Sequence, residues 1–322
     1  MQTDSQVYAY SAVLMGSPIL LKLFDHNEKL AAQAFRLIKQ YENLLTVNRA
    51  HSEVMAVNHA AGLHPVSVSQ PVFDLIQRAL TVSLLPGSSF NLAIGPLVKC
   101  WKIGFQGDSV PARKTLLATL PLTDPENVEL DADSRAVFLK KAGMEIDLGA
   151  IAKGYIADRV QAFLQQHGVD SALINLGGNV QTLGAPRDAP QQGWTIGLKT
   201  PFAAQDALIG VIHVVNKSVV TSGIYERYFE RDGVCYHHIL DRRTGYPLDN
   251  ELLSVTIISD QSIDGDIFTT LIYGMGVEKG IDYLKTFPDI EAIFVTRDKQ
   301  VICSSQRHFS FTLLDNSYQL PH

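Results

Sequence analysis

Basic residues, cysteine and long apolar runs are all scarce in this chain, and each scarcity removes a class of function. Lysine and arginine number 27 against 33 aspartates and glutamates, for a net charge of -6 over 322 residues. No basic block occurs, and none is interleaved with aromatics, so a nucleic-acid partner is not expected. The three cysteines, Cys100, Cys235 and Cys303, are far apart, odd in number and without metal spacing. They read as reduced, mostly buried thiols. The first apolar stretch, residues 11–24, is broken by Gly16, Pro18 and Lys22, and Met1–Gln6 carries no basic residue. Neither a signal peptide nor a membrane span is expected there, which points to a cytoplasmic protein with no membrane partner. What remains is an ordinary globular composition, 46% hydrophobic and 19% charged. With no low-complexity linker and no tandem repeat, a single domain over 1–322 is expected.

Periodicity predicts a mixed chain. Residues 7–24 read as strands bent at Met15-Gly16-Ser17-Pro18, and residues 27–45 as an amphipathic helix. Ser52-Glu53 opens a short helix, Pro71 starts another to Leu85, and 111–120 reads as a surface helix. Residues 127–148 read as a three-strand meander over 128–130, 136–140 and 144–148. A helix over 149–167 is closed by Gly168. Strands are expected at 172–176, 194–198, 209–215, 218–221, 234–240, 254–259, 291–295 and 300–303, with helices at 266–275 and 277–286. The pattern is α+β, a mainly antiparallel sheet with helices packed on it.

Five local groupings could carry chemistry. The richest runs from Tyr236 through His237-His238 and Asp241-Arg242-Arg243 to Thr244-Gly245-Tyr246-Pro247. A strand feeding that turn can hold a proton-transfer group rigidly, and adjacent histidines on a strand face opposite sides. Asp264-Gly265-Asp266 opens the helix that carries Thr270. Asp266 and Thr270, four apart, share a face on which a hard cation could sit, although aspartates at a helix start also serve simply as caps. Residues 145–158 bring Asp147 to a helix start with Lys153 one turn inside. That arrangement either cradles a phosphate or is a plain cap with a solvated lysine. Asn175-Leu176-Gly177-Gly178-Asn179 allows close backbone approach to a ligand or is a tight turn. Thr221–Arg227 reads equally as a cleft-lining loop or a bulge with an ion pair.

In order along nearly the whole chain, these segments resemble the ApbE-like FAD:protein FMN transferases. The resemblance takes in Met15-Gly16-Ser17, Ser52-Glu53 with Asn58, Ser89-Phe90-Asn91 leading to Gly95-Pro96-Leu97 and Trp101, and Ile146 to Asp158. It continues through Leu176 to Asn179, Ser222 to Arg227, His238 to Pro247, and Asp266 to Thr270. It implies an ApbE-like, T-fold-like architecture that moves FMN from FAD onto a Thr or Ser hydroxyl of a target flavoprotein, forming a phosphoester and releasing AMP. By position it implies Mg²⁺ held by Asp266, Thr270 and the Ala150 carbonyl. FAD contacts are implied at Met15, Asn48, Ser89, Phe90, Asn91, Asp147, Lys153 and Leu240, and a catalytic base at His238. The implied acceptor protein carries a motif like Asp-Gly-x-Ser/Thr-x-Ala/Thr-Thr. Asp264–Thr270 imitates that motif, but Ile267 stands at the hydroxyl position.

The chain departs from the family pattern in places. Asn48 stands where many members have a Tyr against the flavin ring, and Asn cannot stack. Asn91 and Ile224 replace common aspartates, Ser17 a common Thr, and Arg242 a common Pro. Asn48 motivates an alternative, a pyrophosphatase that hydrolyses FAD to FMN and AMP. A non-enzymatic FAD carrier is a third reading, which the set His238, Asp266 and Thr270 argues against.

Overall fold

The structure is a computed structural model describing residues 6–204 and 206–321. Met1–Ser5, read above for a leader, lie outside the described residues. In chain order the elements are β1 (Tyr8–Leu14), β2 (Ser17–Leu23), α1 (Glu28–Leu45), α2 (Glu53–His59), β3 (Val66–Ser67), α3 (Gln70–Ser83), α4 (Gly95–Trp101) and α5 (Arg113–Thr119). There follow β4 (Val128–Asp131), β5 (Ala136–Leu139), α6 (Ala152–Gln166), β6 (Ala172–Leu176), β7 (Asn179–Leu183), β8 (Trp194–Lys199), β9 (Leu208–Val214), β10 (Ser218–Gly223), β11 (Tyr228–Arg231) and β12 (Val234–His237). The chain ends with β13 (Leu252–Ser259), α7 (Ser262–Leu284), β14 (Glu291–Thr296), β15 (Val301–Cys303) and β16 (Phe309–Leu313). Antiparallel sheets with packed helices make this an α+β fold. No helix among the described residues is long and apolar enough to cross a membrane.

The chain forms two compact units, each interrupted in sequence. The first comprises residues 1–42, 153–223 and 251–322, the second 43–152 and 224–250. In the first, eight strands form an antiparallel sheet in the order β1-β2-β6-β7-β10-β13-β14-β15, and β16-β9-β8 form a smaller sheet. Val219, Ile258 and Ile293 of the large sheet share a core with Trp194, Ile209 and Ile212 of the small one. Gly265 of α7 lies against β10, where a Cβ would sit 2.5 Å from Val220 Cγ2. The β1–β2 hairpin turns on Met15-Gly16, both at positive φ (53° and 65°), which matches the two-residue turn that strand twist favours.

In the second unit β3-β5-β4 form one small sheet and β11-β12 a hairpin. Trp101, at the end of α4, organises the rest. Its ring packs on Phe229, Tyr236 and Tyr246, and its Nε1–H donates to Gly245 O at 2.7 Å.

The helix and hairpin expectations over the first 120 residues hold within a few positions, and the differences elsewhere have physical causes. Residues 144–148 are not a strand. The Asn58 side chain instead pairs with Ile146, its Nδ2 donating to Ile146 O (3.0 Å) and its Oδ1 accepting from Ile146 N (2.7 Å). The third strand beside β5 is β3. β12 stops at His237 rather than continuing to 240, because Leu240 bridges to Pro247 across the turn. β7, β11 and β16 were not expected. β7 is buried although it reads Asn-Val-Gln-Thr-Leu. The two helices expected from 266 are present as two segments of α7 parted by a kink at Gly276 (φ 78°), where Glu251 Oε1 accepts from Val277 N at 2.8 Å; the first begins earlier than expected, at Ser262.

Asn58 takes the place of a strand partner, so Asn58→Ala leaves both backbone groups of Ile146 without their side-chain bonds. A loss of about 1–3 kcal/mol is expected, read as a lower urea midpoint at unchanged slope. An unchanged midpoint would show that water replaces the amide at no cost.

Candidate active site

In the first unit the chemistry gathers around two neighbouring turns and the start of α7. β2 pairs with β6, so the Met15-Gly16 turn lies beside the Gly177-Gly178 turn, and Gly177 N donates to Pro18 O at 3.2 Å. Lys153, in the first turn of α6, reaches these turns and donates to Ser17 Oγ at 3.3 Å. A Cβ on Gly177 would lie 2.6 Å from Ser17 Cβ and 3.0 Å from Lys153 Nζ, so this glycine makes room for the ammonium. Met15 is half-buried and holds a left-handed conformation that costs a side-chain-bearing residue energy.

Asp266 is buried in α7 at 9% exposure. Its Oδ2 accepts from Gly154 N at 2.5 Å and its Oδ1 from Asn179 Nδ2 at 3.0 Å. Gly154 sits in the first turn of α6 and has no helical partner for that N–H. Burial pushes the Asp266 carboxyl up to about 7, against the Gly154 N–H, the Asn179 amide and the charge of Lys153. Each oxygen has one neutral donor, which leaves lone pairs for a further positive partner. Thr270, one turn on, donates its hydroxyl to Asp266 O at 3.4 Å. Asp266 therefore lies in the second turn of its helix, not at its opening. The start is capped by Asp158 of α6, whose two oxygens accept from Ser262 N (2.7 Å) and Ile263 N (2.9 Å).

In the second unit His237, the last residue of β12, and His238, just past it, meet different partners. His237 is buried, its Nε2 donating to Leu248 O at 2.8 Å. His238 is half-buried, with its backbone N 3.1 Å and its Nδ1 3.2 Å from Arg227 O. A carbonyl only accepts, so the Nδ1 carries the proton and Nε2 is left with a free lone pair. Desolvation, then the Arg227 charge, moves the His238 pKa down to about 3, while the bond to Arg227 O opposes the shift. Arg227 lies over Phe105, and a Cβ on Gly104 would sit 2.6 Å from Arg227 Cδ.

The other expected residues of this unit are placed as follows. Asp147 is half-buried, and its Oδ1 accepts from Gly149 N at 2.8 Å. Burial raises its carboxyl pKa, opposed by that bond and by Arg227. Ala150 is exposed in the turn before α6. Ser89 is half-buried, and Phe90 is a core side chain at 2% exposure. Asn91 gives its amide to Thr123 O (2.8 Å) and accepts from Ala93 N (2.9 Å), so both ends serve the local fold. Leu240 is buried beside Trp101 and Leu116. Asn48 is exposed in the bend after α1.

Sequence reasoning missed the parts played by Asn179, Ser262 and Asp158. Asn179 was legible only as the end of a glycine turn. Nothing in the local sequence says that Asp158 caps a helix beginning 104 residues later.

Comparison with known proteins bears on this arrangement. A model of the ApbE family matches residues 15–294. An FAD:protein FMN transferase of Klebsiella pneumoniae (strain 342) is 61% identical over 318 residues, covering 99% of this chain and 98% of the relative. Another, from Treponema pallidum (strain Nichols), is 40% identical over 284 residues, covering 85% of this chain and 78% of the relative. Among solved structures, the ApbE protein of Thermotoga maritima MSB8 matches with a TM-score of 0.79 at 30% identity, covering 90% of this chain and 94% of that one.

Burial raises the Asp158 carboxyl from 3.8 to about 6, although the Ile263 and Ser262 N–H groups favour its charged form. The unfolded carboxyl loses its proton near pH 4 and the folded one near pH 6, so the native state holds the extra proton between them. This group therefore makes stability fall as pH rises across that window, by at most about 1.4 kcal/mol per unit. Asp158→Asn should flatten that part of the profile in urea titrations at pH 4, 5 and 6. Parallel profiles for the two proteins would assign the slope to other groups.

Proposed function

The chain belongs to the ApbE family, and on that premise we propose that it is an FAD:protein FMN transferase that moves FMN from FAD to a hydroxyl of a target flavoprotein. The observation that carries the chemical reading is the contact of His238 Nδ1 with Arg227 O at 3.2 Å. With Nδ1–H tied to Arg227 O, Nε2 is the atom available to take a proton.

The acceptor Thr or Ser oxygen attacks the phosphorus of the FMN half, and its proton passes to His238 Nε2. The new P–O bond forms as the bond to the bridging oxygen breaks, and AMP leaves with that oxygen. A pKa well below neutral keeps the imidazole unprotonated before substrate arrives. The negative pyrophosphate then raises the basicity of the ring, because opposite charge favours its protonated form. Lys153, held at Ser17 and given room by Gly177, supplies positive charge for pyrophosphate oxygens.

The donor set at Asp266 fits a hard divalent cation. It is a buried carboxylate with one neutral donor on each oxygen, accompanied by the Thr270 hydroxyl. Asp266 and Thr270 would hold Mg²⁺. Bound there, Mg²⁺ would neutralise charge on phosphate oxygens. The acceptor motif and the FAD contacts named from the sequence belong to the same reading. A second reading, hydrolysis of FAD to FMN and AMP, is favoured by Asn48, which is exposed and offers no ring for a flavin to stack on.

The test is a reaction of FAD and Mg²⁺ with and without an acceptor domain bearing the motif, following AMP and acceptor mass together. An acceptor gain equal to FMN, in step with AMP, is expected. AMP released equally fast without acceptor would make hydrolysis the main activity. His238→Ala should retain FAD binding and lose transfer by about 100-fold or more. Transfer at the wild-type rate would remove His238 from the reaction. Asp266→Ala should weaken activity and its Mg²⁺ dependence together, and an unchanged Mg²⁺ titration would move the cation elsewhere.

A further inference from the structure

Behind Asp266 lies a chain of buried polar side chains that the reaction itself does not touch. Asn179 is 4% exposed, and Ser218 and Ser262 are both at 0%. Asn179 Nδ2 donates to Asp266 Oδ1 at 3.0 Å. Ser262 Oγ donates to Asn179 Oδ1 at 2.6 Å. Ser218 Oγ lies 3.0 Å from Ser262 Oγ and 3.3 Å from Val180 O. The polarity is forced from one end. The carboxylate accepts, so the amide must turn its NH₂ to Asp266 and its oxygen away. That oxygen needs a donor, and Ser262 has one proton to give. Ser262 can then accept from Ser218. Every member points the same way, and such a run of bonds strengthens each link.

We propose that Ser262 is a positioning residue for the Asp266 site: its hydroxyl locks the Asn179 amide in the orientation that presents NH₂ to the carboxylate. Without it, the amide has no partner fixing its oxygen and can rotate to set that oxygen against Asp266. A carbonyl oxygen facing a carboxylate is repulsive and turns the Asp266 lone pairs out of the arrangement that would receive a cation. Ser262 acts only through Asn179. Its backbone N–H is separately engaged by Asp158, and that bond survives truncation of the side chain. The inference rests on reading Asp266 as the cation-holding carboxylate, and orientation of a metal ligand by its outer partners has an expected scale of about 10- to 100-fold in affinity.

The experiment is direct binding of Mn²⁺, a spectroscopic substitute for Mg²⁺, followed by loss of the free-ion electron paramagnetic resonance signal. It is made on full-length wild type, Ser262→Ala, Asn179→Ala, the double variant and Asp266→Ala, with a thermal melt of each. Ser262→Ala should weaken Mn²⁺ binding about tenfold or more, and the double variant should bind no worse than Asn179→Ala alone. In turnover, Ser262→Ala should raise the half-saturating Mg²⁺ concentration while kcat at saturating Mg²⁺ stays near wild type. Wild-type Mn²⁺ affinity in Ser262→Ala, or losses that multiply in the double variant, would overturn the proposal. Should Ser262→Ala fail to fold, Ser262→Cys, close in size with a weaker donor, should shift Mn²⁺ affinity in the same direction, and wild-type affinity there would equally overturn it. Unchanged Mn²⁺ binding in Asp266→Ala would instead sink the underlying reading of the carboxylate.

Discussion

The close approach of α6 to the start of α7 is the constraint on which the first unit's chemistry depends. Gly154 makes it possible. A Cβ there would fall 2.4 Å from Ser262 O and 2.7 Å from Ile263 Cα, so no other residue fits without moving backbone. Two consequences follow from that one missing carbon. The Gly154 N–H, which the helix start leaves without a partner, reaches Asp266 Oδ2. One turn further along α6, Asp158 meets the first two N–H groups of α7 and caps them. One helix thus supplies the cap of another and one of the two donors that hold its buried carboxylate.

That carboxylate is costly. Burial raises its pKa, and the bonds from Gly154 and Asn179 and the charge of Lys153 do not cancel the shift, so the carboxyl sits at about 7. A group bearing that cost gains most from an added positive charge. A related rule applies to Asn179 and Ser218, buried on β7 and β10. A buried polar group needs partners, and here several of the partners are each other.

Legibility in the sequence followed the range of the forces. The β1–β2 hairpin, α1, the glycine stop after α6 and the break at Gly276 come from local dihedral preference and periodicity, and all could be read directly. The start of α7 could not, because its cap comes from Asp158 in another helix. The segment around Ile146 has a strand's residues but forms no strand, because a side chain, Asn58, occupies the pairing edge. β7 hides for the opposite reason, since its polar residues are buried by tertiary contacts that no window of sequence contains. At the site, Asp266, Thr270, Lys153 and His238 stood out by residue type and family resemblance. Phe90 and Asn91 stood out in the same way, but that the Phe90 side chain is core and the Asn91 amide meets Thr123 and Ala93 depends on tertiary contacts. Type and spacing do not say which side of the backbone a residue serves.

The adjacent histidines show how a fold decides between structure and chemistry for identical side chains. His237 turns inward, gives Nε2–H to Leu248 O and sits within 3.3 Å of Ile239 N, so both ring nitrogens are engaged by backbone. His238 lies just past the strand, and its Nδ1 finds a carbonyl. The difference is not in the imidazole but in the count of backbone groups each ring meets. That count is set by β12 ending at His237 and by Trp101 holding the following turn through Gly245 O. A ring with one nitrogen anchored and the other free has a defined tautomer and a defined direction. Those are the two properties a proton acceptor needs before its pKa matters at all.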